Sequence, residues 1–159
     1  MPNTDMVDVL KASKVFKGVS DEHLQMISNS GGIAIYQRNE NIIKEGQSGH
    51  PLFIVIEGQV EVVLPKVAVG QAFERATRIK LSKLAKGDCI GEYSLIDKNP
   101  ASASVVVVEP CKLFEISRSN FEKIISSSDS LAKTIYKNFL LIIIKRARDN
   151  NRELDICYN

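Results

Sequence analysis

Apolar and polar positions divide the chain into three blocks of different period. Up to residue 30 the pattern is helical. Met6, Val7 and Leu10 open a loose amphipathic stretch that reaches Val15 and Phe16 before Gly18 interrupts it. Ser20 stands as an N-cap, with Asp21 and Glu22 in the first turn where carboxylates complement the helix dipole. Leu24, Met26 and Ile27 supply the buried side of this second helix, and Asn29-Ser30-Gly31-Gly32 stops it. From residue 31 to 117 short β-branched or alternating runs take over. Ile33 and Ile35, Ile42 and Ile43, Leu52–Ile56, Val60–Leu64, Thr77–Leu84, Ala103–Val108 and Lys112–Ile116 predict strands. Asn39-Glu40-Asn41, residues 45–49 and Glu57-Gly58-Gln59 predict turns between them, and Pro65–Arg75 a long hairpin loop. Helical spacing returns at Ser119. Ser119 or Asn120 caps a short helix, Ser126–Ser130 breaks it, and a long helix runs from about Ser130 to about Leu154. The order predicts an α+β chain: an antiparallel barrel or sandwich with helices segregated to the two ends.

Composition narrows the function classes. The chain has 159 residues, the size of one domain, and carries 21 basic against 19 acidic residues. A net charge of +2 gives no support to a polyanion-binding surface. Two His and three Cys (Cys89, Cys111, Cys157) match no zinc spacing, and the thiols read as core or inert groups of a reducing compartment. The N-terminus has no apolar leader, and the longest apolar run, Phe139–Ile144, is far short of the roughly 20 residues of a membrane span. The expected location is the cytoplasm. Ser94 lacks the second glycine of a nucleophile elbow, and no P-loop or dinucleotide fingerprint is present. His23 and His50 lie in unlike contexts and read as surface or satisfied residues. The expectation is a protein with no catalytic activity, metal or cofactor.

The most informative segment is Lys86–Ser104, KGDCIGEYSLIDKNPASAS. Gly91 follows a short apolar strand and opens a tight turn where a side-chain-free residue permits close approach. Glu92–Ile96 then forms one helical turn whose free N–H groups suit an anion. Gly91-Glu92-Tyr93-Ser94-Leu95 followed by Pro100-Ala101-Ser102-Ala103-Ser104 resembles the phosphate-binding cassette of cyclic nucleotide-binding domains, whose pattern is G-E-x-[SA]-L and then P-R-[SA]-A-[TS]. Upstream, Glu45-Gly46-Gln47-Ser48-Gly49-His50, Glu57-Gly58-Gln59-Val60 and Gly87–Glu92 are similar to further elements of that family, so the resemblance covers about residues 10–150.

That resemblance implies a jelly-roll-like β-roll of about eight strands over residues 31–117, with the cassette at 91–104. Helices at about 1–30 and 119–154 flank it, in a single domain 1–159. It implies a regulatory sensor with cyclic AMP or cyclic GMP as ligand. Glu92 would meet the ribose 2′-hydroxyl, and Gly91, Ser94, Leu95, Ser102 and Ala103 would supply close backbone contacts. Read on its own, Glu92 is first of all a first-turn carboxylate favoured by the helix dipole; with the resemblance the two readings stand level. The family's cassette arginine is Ala101 here, and its aspartate after the glycines is His50. Losing one partner of a buried ion pair costs about 3–5 kcal/mol, roughly two to four decades of affinity, so weak or altered nucleotide binding is expected. Arg75, Arg78 and Lys80 on or beside the long hairpin, with Arg38 and Lys44, are the cations that could compensate; otherwise they are solvated strand-face charges.

The second feature is the long helix. Six consecutive apolar residues, Phe139–Ile144, go all the way round it at 100° per residue. One face packs on the β-roll. Leu131, Ile135, Phe139, Ile142 and Ile143 are the expected seam for a homodimer or protein partner, unless they are buried in the chain's own core. The Lys145-Arg146-Ala147-Arg148 cluster reads as a basic helix end complementing its own dipole. Bacterial members of the family it resembles continue into a helix-turn-helix domain after this helix; with the sequence reaching Asn159, the expectation is that this chain carries no DNA-binding domain. The alternative to a nucleotide sensor is a domain that has lost its ligand and serves dimerisation or partner docking.

Overall fold

The structure is a computed structural model that describes residues 3–67 and 75–158. Helix α1 (Asn3–Lys11) and helix α2 (Asp21–Ser30) lead into strands β1 (Gly32–Tyr36), β2 (Asn41–Ile43) and β3 (Leu52–Leu64). After a hairpin come β4 (Ile79–Ala85), β5 (Cys89–Ile90), the short helix α3 (Glu92–Asp97) and β6 (Ser104–Ile116). Helix α4 (Arg118–Ser127) and the long helix α5 (Asp129–Tyr158) close the chain. Ser20 caps α2 as expected, its hydroxyl accepting from the His23 N–H at 3.3 Å. Ser117, not Ser119 or Asn120, caps α4, and α5 runs four residues past Leu154. The centre of the Pro65–Arg75 hairpin lies outside the described residues; its two ends are bridged through Val67 and Arg75.

The sheet is antiparallel and, among the described residues, has six strands in the order β1-β6-β3-β4, with β2 on β6 and β5 on β3. That is fewer than about eight because two expected pairs are single strands. Leu52–Ile56 and Val60–Leu64 are joined in β3, and Ala103–Val108 and Lys112–Ile116 in β6. Glu57-Gly58-Gln59 is not a turn but a bulge where the β3–β6 register shifts. Gly58 takes φ +94°, and a Cβ there would lie 2.3 Å from the Pro110 carbonyl oxygen, so only glycine lets the two strands bend together.

The bulge also resets which residues face inward. Phe53 and Val55 before it and Val60 after it join Ile42, Ile43, Val105, Val107 and Leu113 in the interior of the roll. Leu52, Ile54 and Ile56 point the other way, into a second core with Leu10, Phe16, Leu24, Ile27, Phe121 and Ile124 from the helices. Strand β3 is therefore apolar on both faces over Leu52–Ile56, which is why that run does not alternate.

Leu131, Ile135 and Phe139 of α5 are buried in this helix-side core. They are not a seam for another chain, which corrects that expectation. At positions i, i+4 and i+8 they form the stripe that seats α5 on its own domain. Asn138 belongs to the same stripe and donates from Nδ2 to the carbonyls of Val15 (2.7 Å) and Lys17 (2.8 Å). Ile142 and Ile143 are half-buried, and Leu140, Leu141 and Ile144 are exposed. Among the described residues no helix is long and apolar enough to cross a membrane.

Candidate functional site

Strand β5 delivers the chain to Gly91, which caps α3 with φ +93°. A Cβ at Gly91 would sit 2.9 Å from the His50 ring and from the Pro51 carbonyl oxygen. The close approach expected there is thus to the protein's own backbone and ring. His50 is buried and satisfied, its Nδ1 3.0 Å from the Pro51 carbonyl oxygen. In the turn that follows, Glu92, Ser94 and Leu95 are buried. The Ser94 carbonyl accepts from an Arg118 Nη2 at 2.9 Å, which ties α3 to α4.

The second half of the segment is held by backbone. Ala101 donates its N–H to the Gln47 carbonyl (2.9 Å) and accepts from the Gly46 N–H (2.8 Å). Ser104 Oγ accepts from the Glu45 N–H at 2.9 Å. Two expected motifs, the glycine turn at 45–49 and the Pro100–Ser104 run, are therefore one structural unit. Gly91, Glu92, Ser94, Ala101, Ser102 and Ala103 line a common cavity of about 80 Å³; Leu95 does not, being turned into the helix-side core.

None of the proposed compensating cations lines that cavity. Arg75 is paired with Glu45 (3.0 Å) and donates to the Pro65 carbonyl (2.6 Å). Arg78 and Lys80 both pair with Glu61, at 3.1 and 3.3 Å. Each is held by a carboxylate that does not itself line the cavity. Arg38 and Lys44 are exposed and also absent from the lining.

The cation that does reach the cavity is Arg146 of α5, the one Lys or Arg among the described residues that line it. Its Nη1 pairs with the Glu92 carboxylate, and its Nη2 donates to the Cys89 carbonyl at 3.0 Å. The Glu92 side chain is 3% exposed and that of Arg146 22%. Burial is the largest influence and opposes the guanidinium charge, but the facing Glu92 carboxylate together with Cys89 and Tyr93 more than offsets it and holds the pKa above its ordinary value. Burial pushes the neighbouring Cys89 thiol up, with Glu92 adding to the effect, so this thiol is a neutral wall and no nucleophile. Arg146 corrects the reading of its basic cluster as a helix end, because α5 continues to Tyr158. Its inward direction was readable: Ile135, Phe139, Ile142 and Arg146 recur at helical spacing on the face that Leu131 begins.

Outside this cavity, between α5 and β4, lies a larger cleft of about 550 Å³. Tyr93, Ser102, Ala103 and Arg146 belong to the walls of both, so Arg146 stands at the neck between them. The larger space falls within the roughly 300–1,000 Å³ of small-molecule sites, and the smaller one does not.

The family model described as "Cyclic nucleotide-binding domain" matches residues 34–128. The chain is 28% identical over 147 residues to the cyclic AMP receptor protein of Thermus thermophilus, covering 92% of this chain and 63% of that protein. It is 24% identical over 127 residues to the cAMP-dependent protein kinase regulatory subunit of Debaryomyces hansenii, covering 80% of this chain and 26% of that one. The chain therefore spans less than two thirds of these relatives. Among solved structures, a cyclic nucleotide-binding domain from Methylobacillus flagellatus superposes with a TM-score of 0.77 at 21% identity, over 95% of this chain and 81% of that one.

Proposed function

Because the chain belongs to the cyclic nucleotide-binding domain family, we propose that it is a non-catalytic regulatory module that takes cyclic AMP or cyclic GMP weakly. One observation carries this reading: the cassette keeps a buried carboxylate, Glu92, at the start of α3, while Ala101 brings no cation to the same cavity. A ligand hydroxyl has its acceptor in Glu92 once Arg146 moves aside, while position 101 gives a cyclic phosphate no fixed cation. Charge-assisted, bidentate recognition of the phosphate is what the arginine position would add. Relatives whose names carry cyclic AMP or cyclic GMP support the choice of ligand.

Calorimetric titration of wild type and Ala101→Arg with both nucleotides tests the proposal. Wild type should bind in the millimolar range and the variant about two to four decades tighter, following the cost of a missing ion-pair partner. Micromolar binding by wild type would refute the energetic argument.

A second reading is a module that has lost its ligand and docks a second copy or a protein partner through α5. The narrow cavity, with Arg146 at its neck, favours it, and the exposed Leu140, Leu141 and Ile144 offer the surface. Heats from neither protein, together with a dimer mass by light scattering, would select this reading.

A further inference from the structure

We propose that Arg146 is a built-in competitor for the cassette: it occupies Glu92 in place of a ligand hydroxyl and thereby latches the distal half of α5 over the pocket. This rests on the reading of Glu92 as the acceptor for a ligand hydroxyl and adds how access to it is controlled.

Three observations converge. Glu92 is nearly inaccessible, and its carboxylate is already engaged by the guanidinium. Arg146 bonds one carboxylate oxygen, Oε1, and lies over a side chain that is 3% exposed, so a ligand hydroxyl gains Glu92 only when Arg146 shifts aside. Next, α5 is anchored unevenly. Leu131, Ile135, Asn138 and Phe139 are its buried residues, and from Leu140 to Tyr158 none is buried. Arg146, in that distal half, bonds directly to Glu92 of the cassette and to the Cys89 carbonyl of β5 just before it. Releasing it frees the far part of the helix while the first three turns stay seated. Finally, Arg146 stands between the small inner cavity and the larger cleft, and withdrawal would join them. The outer cleft is lined by Lys14, Lys17, Lys83 and Lys145 as well as Asp88, Asp149 and Glu153, and Asp149 already pairs with Lys145 at 2.8 Å, so a withdrawn guanidinium meets a mixed, solvated wall.

The latch is a two-state element, and a ligand opens it only through its preference for the open state. Its test has two readouts on the full chain. Amide hydrogen exchange over residues 140–158 is compared in wild type, Arg146→Gln, Arg146→Lys and Glu92→Gln, and the same proteins are titrated with cyclic AMP and cyclic GMP. Arg146→Gln and Glu92→Gln should raise exchange in that segment about 5-fold or more, with residues 131–139 protected as before. Arg146→Lys, which keeps the charge but not the fork, should fall between. Arg146→Gln should bind nucleotide about 5–150-fold tighter than wild type, the usual range of coupling between sites, and Glu92→Gln should not.

Wild-type exchange in Arg146→Gln would overturn the latch. Where wild type gives measurable heat, so would binding by that variant that is no tighter, the weaker case making Arg146 a ligand residue. Raised exchange with no heat from any protein would leave the latch standing and refute the nucleotide reading instead.

Discussion

The energy stored between Glu92 and Arg146 decides whether α5 is held by chemistry at the cassette or merely rests on it. A double-mutant cycle on stability measures it. The carboxylate side chain is 3% exposed and the guanidinium 22%, so the pair lies between two limits. Breaking a fully buried pair costs about 3–5 kcal/mol, and a solvent-exposed pair is worth about 0–1. Removing Arg146 strands a carboxylate beside a cavity of about 80 Å³. That space can take water, because a molecule needs only about 30 Å³ in the liquid, so hydration offsets part of the loss. Arg146→Ala should therefore cost about 2–3 kcal/mol, below the fully buried limit. Glu92→Ala strands a guanidinium that stands at the neck and can turn into the outer cleft, so it should cost about 1–2 kcal/mol. The double variant has no stranded charge and should cost about 2 kcal/mol, giving a coupling of about 1–3 kcal/mol. Urea unfolding followed by circular dichroism reads these values. The single variant at Arg146 should also lose about 5–10 °C in Tm for a chain of this size. Additivity within about 0.5 kcal/mol would show that the two side chains do not interact, and the reasoning would fail.

Two further outcomes follow from other parts of the fold. Asn138→Ala removes the donors to the Val15 and Lys17 carbonyls, and since Val15 is fully buried its carbonyl cannot be rehydrated; the loss should be about 2 kcal/mol by the same urea assay, and a change under 0.5 would refute that role. Burial raises the pKa of the Cys89 and Cys111 thiols, so their thiolate fraction stays low from pH 7 to 9. A maleimide should therefore label only exposed Cys157 in the native protein and all three thiols in denaturant, as mass spectrometry would show.

The fold was legible where a signal is local. The N-cap at Ser20, the breaker at Asn29–Gly32 and the β-branched runs lie where the elements do because capping, turn and strand preferences act over a few residues. Apart from the α4 cap, which lies at Ser117 two or three residues before the expected position, the misreadings are non-local. Glu57-Gly58-Gln59 has turn composition, and what makes it a bulge is the Pro110–Cys111 backbone packed against Gly58 from β6. Leu131, Ile135 and Phe139 read as a seam because an apolar stripe carries no label saying whose core covers it. The covering residues come from α1, α2 and α4 and are visible only once the chain is folded.

The cassette was legible as a pattern, but its cation was sought on the wrong element. Arg75, Arg78 and Lys80 are nearer in sequence and belong to the roll, yet Glu45 and Glu61 hold them. Arg146 is 54 residues from Glu92. Its position follows from the stripe that begins at Leu131, since a helix long enough to pass the cassette must present its next inward residue there. A cation at 101 and a cation at 146 would bring the same charge to the cavity, but they are not equivalent. Position 101 is fixed by two backbone hydrogen bonds to the Gly46–Gln47 turn. Position 146 rides on a half-helix with no buried residue, so the charge at Glu92 moves when that half-helix moves. Placing the cation on α5 makes the occupancy of one carboxylate and the position of one helix a single equilibrium, which is the coupling a regulatory module requires.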